Sequence, residues 1–139
     1  MFFCSNFPKT MKETVKMLYC KGLRQFRGNK MKELMNKINQ FRDDRDWRKF
    51  HNEKDLAISI SLEASELLEL FQWKKSEEVV ASSLKEIKEE LADVLIYSLM
   101  MADNLNLDVE DIIKSKLDLN EQKYPVEKSR GSNKKYNEL

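Results

Sequence analysis

The chain has 139 residues, 35% of them charged, with a net charge of +1, three glycines and two prolines. That length suits one domain, and so few turn-forming residues disfavour a strand-rich sandwich or barrel. Gly22, Gly28 and Gly131 fit neither a GxGxxG nor a P-loop pattern, and no run of about 18 apolar residues occurs, so neither a glycine-rich phosphate loop nor a membrane-spanning helix is expected.

Residues 1–30 differ in composition from the rest. They hold seven basic side chains (Lys9, Lys12, Lys16, Lys21, Arg24, Arg27 and Lys30) against one acid, Glu13, a balance of +6, whereas residues 31–139 balance to −5. The apolar residues come first and form no long run, which is not the signal-peptide order. Met11, Val15, Leu18 and Phe26 recur at helical spacing with lysines between them, so a basic amphipathic segment that binds nucleic acid or membrane is one alternative. The expectation preferred here is an extension that the fold does not need, with Met31 a plausible natural start. Cys4 and Cys20 have no CxxC spacing and no nearby histidine, and are read as free thiols in a reducing compartment.

From residue 31 the chain reads as helices. Met31, Leu34, Ile38 and Phe41 give a first helix over 31–46. Asn52, with Asp55 three residues on, caps a second helix from about Glu53 to Trp73, whose apolar side is Leu56, Ile60, Leu67 and Leu70–Phe71. A polar stretch follows, in which Ser76 could cap a short helical turn. Ser83 and Glu86 form a capping-box pattern for a third helix to about Asn104, with a stripe of Leu84, Ile87, Leu91, Val94–Leu95, Ser98–Leu99 and Ala102. Asp108 caps a fourth helix that Pro125 stops at about Lys123. Residues 125–139 are polar, without periodicity, and are expected to be a flexible tail. Four helices with short links predict an all-α bundle. Ile96, Met100 and Met101 lie beyond the third helix's stripe, and this surplus apolar surface predicts a partner copy, a homodimer or homotetramer.

The informative residues are carboxylates inside leucine-rich helices. Glu63 and Glu66 are three apart on the second helix, Glu90 and Asp93 three apart on the third, with Tyr97 one turn beyond. If these helices pack together, four acids converge and repel one another unless a cation neutralises them. All-oxygen donors suit Mg²⁺ or Mn²⁺. The single histidine, His51, has no Glu-x-x-His spacing, which argues against a di-iron bundle. An ordinary solvated acidic face remains the alternative on pattern alone.

The segments FRDDRDWRKFHNEKDLAISISLEASELLELFQW (41–73), EELADVLIY (89–97) and KLDLNEQKYP (116–125) make the chain resemble the MazG-like all-α nucleoside triphosphate pyrophosphohydrolases, and among them the dCTP pyrophosphatases. The resemblance covers about residues 34–130 and includes the ExxE…ExxD pattern. It implies a domain over 31–124, homo-oligomeric assembly and cleavage of a nucleoside triphosphate to monophosphate and pyrophosphate. It also implies that Glu63, Glu66, Glu90 and Asp93 are the catalytic, Mg²⁺-holding acids, with Mn²⁺ a substitute. One of them, or Glu89, would orient the water as a base. Trp47 and Trp73 would meet the nucleobase, with His51 and Tyr97 as further nucleotide contacts. Lys116, Asn120, Lys123 and Tyr124 match the family's KxDxNxxKYP, and Lys128 and Arg130 could close over phosphates. A nucleotide substrate in the cytoplasm is expected, with neither membrane nor nucleic acid as a partner. The competing reading is a helical dimerisation module whose basic first segment binds nucleic acid or membrane.

Overall fold

The computed structural model describes residues 30–139, so the readings of residues 1–29, including both cysteines, lie outside the described residues. Among the described residues there is no strand, and no helix is long and apolar enough to cross a membrane. The chain divides into two compact units, residues 1–49 and 50–139.

In the described part of the first unit, helix α1 covers 30–43 and ends three residues before the predicted bound. The RDDRDW segment is the cause. Asp46 takes a left-handed conformation (φ 54°), which an Asp tolerates better than most residues. Trp47 N then donates back to Arg42 O at 3.1 Å. Arg45 donates to Phe41 O at 2.8 Å and lays its guanidinium 3.8 Å from the Phe41 ring centre. Arg48 contacts both Asp43 oxygens, at 2.5 and 3.2 Å.

The second unit is built on two antiparallel helices. Helix α2 spans Glu53–Phe71, and Asn52 caps it by accepting from Asp55 N at 3.0 Å. A short helix, α3, spans Ser76–Ser82. Helix α4 spans Leu84–Asn104, and Ser83 makes no side-chain cap there, so the predicted capping box is not formed. Helix α5 spans Val109–Lys123, with Asp108 accepting from Asp111 N at 3.0 Å as its cap. Helix α6 (Val126–Ser129) and a 3₁₀ turn (Tyr136–Glu138) occupy the segment expected to be a flexible tail. The extensive packing is α2 on α4, with α3 beside both. Its buried apolar residues are Leu56, Val79, Met100 and Ala102.

Two assignments change here. Leu84, Leu91 and Leu95, expected in the buried stripe of α4, are exposed at 48%, 46% and 54%. Met100, expected outside that stripe, is 2% exposed and belongs to the core. The half-buried face of α4 runs through Ile87, Glu90, Asp93, Val94 and Tyr97. The predicted stripe shares Ile87 and Val94 with this face, and Ser98, Leu99 and Ala102 beyond it, but leaves out Glu90 and Asp93 because they are carboxylates.

Candidate metal and nucleotide site

Asn104 sets the register of the α2–α4 pair. From the end of α4 its amide donates to His51 O, just before α2, at 2.8 Å, and lies 3.4 Å from Glu53 Oε1. From that clip, Glu63 lies twelve residues up α2 and Asp93 eleven residues back along α4. At 1.5 Å per residue each path is about 17 Å, so antiparallel helices bring the two acids level. Glu90 is one turn further along α4.

The result is a close group of acids. Glu63, Glu90 and Asp93 each place one carboxylate oxygen within 4.8 Å of the others, all on half-buried side chains. Glu63 interrupts the half-buried stripe Ile60, Glu63, Leu67 and Leu70, where an apolar residue would pack at no electrostatic cost. Partial burial, then the charges of Glu66, Asp93 and Glu90, raise the Glu63 pKa above its ordinary value. Glu90 is raised likewise by desolvation first, then by Glu66, Asp93 and Glu89. Glu66 is exposed on the flank of α2 and stands outside the three-oxygen group, yet its charge acts on both.

These residues fit a hard divalent cation. Metal–oxygen bonds of about 2.1 Å let one ion join oxygens up to about 4.2 Å apart, close to the spacing of this trio. Three clustered carboxylates, with Glu63 and Glu90 raised in pKa and no cationic neighbour among the charges that perturb those two, form a group that a cation would relieve.

The other predicted site residues fall into five places. Tyr97 lies one turn beyond Asp93 on α4, with His51 against it before the start of α2. Their rings meet edge to face at 6.0 Å, and the Tyr97 hydroxyl pKa is raised by burial and then by the charges of Glu63 and Asp93. Trp73 follows α2, 93% exposed and with φ 61°, a left-handed conformation that is an outlier for so bulky a residue. The helix predicted to reach Trp73 therefore stops at Phe71. Trp47 belongs to the first unit, where its ring meets Phe41 edge to face at 5.9 Å. Lys116, Asn120 and Lys123 lie on α5, which contributes no buried residue, and Tyr124 is its C-cap. Lys128 and Arg130 lie in and just after α6. Asn104 escaped the sequence reading. It serves there as a helix end, and a clip between residues 53 apart leaves no local pattern.

Comparison with known proteins identifies the family. A profile of the MazG-like family matches residues 58–139. Mouse dCTP pyrophosphatase 1 is 42% identical over 105 residues, 72% of this chain and 62% of that protein. Human dCTP pyrophosphatase 1 is 39% identical over the same shares. The chain thus spans about 62% of the length of these relatives. The crystal structure of a pyrophosphatase from Archaeoglobus fulgidus superposes with a TM-score of 0.66 at 45% identity, covering 68% of this chain and 92% of that one. A chain whose described residues form helices and no strand, with its ExxE and ExxD acids opposed, and matched by this profile over more than half its length, belongs to the MazG-like family.

Proposed function

We propose that this protein hydrolyses nucleoside triphosphates, dCTP-like deoxynucleotides above all, to monophosphate and pyrophosphate, with Mg²⁺ held by Glu63, Glu66, Glu90 and Asp93. The observation that carries the reading is the trio of Glu63, Glu90 and Asp93 oxygens within 4.8 Å, set into half-buried helix faces. The likeness to dCTP pyrophosphatase 1 supports the substrate class. When bound, a divalent cation supplies charge neutralisation for the triphosphate and makes a coordinated water more acidic.

The chain's own residues do the rest. The acids fix where the triphosphate end must lie and repel it when no cation is present. Tyr97, held against His51, offers a hydroxyl donor at the edge of the acids. That hydroxyl is protonated at neutral pH, as any phenol is, and burial and the nearby acids push its pKa further up. Trp73, almost wholly exposed, offers a ring face on which a base can stack. Trp47 is assigned the same task, and Lys116, Asn120, Lys123 and Tyr124 bind the nucleotide from α5 and its end. Lys128 and Arg130 add positive charge beside them.

A homodimer or homotetramer is part of this reading. Ile112, Ile113, Leu117 and Leu119 on α5, and Leu84, Leu91 and Leu95 on α4, are 43–54% exposed. A second copy would cover this surface. The working compartment is read as the cytoplasm. The test is a panel of NTPs and dNTPs with Mg²⁺, run on the wild type and on Asp93→Asn. Pyrophosphate release by the wild type and its loss in the variant are expected. Equal release by both would remove the acids from the chemistry.

A further inference from the structure

Beyond Pro125 the chain turns back onto the end of α5. Ser129 Oγ bonds Pro125 O at 2.8 Å and Tyr124 O at 3.2 Å. Gly131 then takes φ +72°, a left-handed conformation suited to glycine. Ser132 N donates to Ser129 O at 3.0 Å, and Glu138 N to Lys135 O at 2.9 Å. This path returns Tyr136 to the helix end. Its ring meets Tyr124 edge to face at 6.2 Å and 85°, and the Lys123 ammonium lies 5.3 Å from its centre.

Both distances fall in the ranges for aromatic pairing and for cation–π attraction. The contact is exposed: Tyr136 is 55% and Tyr124 39% accessible. So exposed a contact contributes little to folding. Its effect is to restrain a lysine on a long flexible stem, together with the neighbouring aromatic ring.

We propose that Tyr136 is a positioning residue, a latch that holds Lys123 and Tyr124 in the arrangement that receives the nucleotide. The proposal rests on reading Lys123 and Tyr124 as nucleotide contacts. Tyr136 acts through them and touches no reacting atom.

The test pairs a contact readout with kinetics on the full chain, comparing wild type, Tyr136→Ala and Tyr136→Phe. In the wild type, NMR of the Lys123 ε-methylene should show an upfield ring-current shift, lost in Tyr136→Ala and kept in Tyr136→Phe. With dCTP and Mg²⁺, Tyr136→Ala should raise KM about fivefold with kcat little changed. Tyr136→Phe, which keeps the ring, should restore the wild-type KM, and thermal midpoints should agree among the three. Loss of the ring-current shift with an unchanged KM would overturn the latch alone. A fall in kcat at constant KM, or a Tyr136→Phe as impaired as the alanine variant, would also overturn it. A wild type that hydrolyses no nucleotide would remove the reading on which it rests, and the proposal with it.

Discussion

Replacing Glu63 by Gln should stabilise the metal-free protein while destroying its response to Mg²⁺. Of the carboxylates whose charges act on Glu63, Glu90 and Asp93 place oxygens within 4.8 Å of its own, and Glu66 adds to them from outside that group. At that distance each like-charged pair costs about 1 kcal/mol in a water-like dielectric. Screening at physiological salt removes somewhat under half of it. Relief of both pairs then amounts to about 1 kcal/mol, or about 4–8 °C in Tm for a unit of this size. Scanning calorimetry in EDTA at neutral pH should show Glu63→Gln melting above the wild type by that margin. Glu63 and Glu90 titrate above their ordinary values in the folded state, so the folded chain keeps protons that the unfolded chain has already lost. Stability is therefore lost as pH rises through the folded-state values, and the advantage of Gln should vanish near about pH 4. Adding Mg²⁺ should raise the wild-type Tm and leave Glu63→Gln nearly unmoved. A variant less stable than wild type in EDTA, or one that keeps the full Mg²⁺ shift, would refute the reasoning.

Trp73→Gly should not lower Tm, because it relieves a left-handed conformation costing about 1–2 kcal/mol and removes almost no buried surface. The same change should raise KM for dCTP, measured by pyrophosphate release. Asn104→Ala should cost about 1–2 kcal/mol by leaving the half-buried His51 carbonyl without its amide donor, and should lower kcat/KM by loosening the His51–Tyr97 pair. Leu117→Glu, on an exposed face of α5, should reduce the mass measured by light scattering to that of a smaller assembly and leave helical circular dichroism intact.

Element identity was legible in the sequence because Asn52 and Asp108 are strong caps and the apolar residues recur at helical period. The α2 stripe was legible for the same reason, through Leu56, Ile60, Leu67 and Phe71. The inward face of α4 was legible in part, through Ile87, Val94, Ser98, Leu99 and Ala102. Glu90 and Asp93 occupy positions that a hydrophobic pattern assigns to solvent, so the stripe missed them and took in the exposed Leu84, Leu91 and Leu95. The same acids are candidate ligands in the sequence, because ExxE and ExxD on apolar helices suggest a neutralising cation and the family resemblance singles out that pattern over an ordinary solvated face. Long-range geometry left no trace in the sequence. Neither the Asn104 clip to His51 nor the return of Tyr136 onto Tyr124 follows from local spacing, since each joins segments through a path that only the fold defines. The early end of α2 at Phe71 was hidden for another reason: a Trp in a left-handed conformation runs against its own preference.

The most direct measurement is phosphorus-31 NMR of dCTP incubated with the protein and Mg²⁺, with a parallel sample in EDTA. Equal amounts of dCMP and pyrophosphate should appear with Mg²⁺, and the EDTA sample should remain unchanged. Formation of dCDP and orthophosphate, or equal turnover in EDTA, would contradict a cation-dependent pyrophosphohydrolase site at Glu63, Glu90 and Asp93.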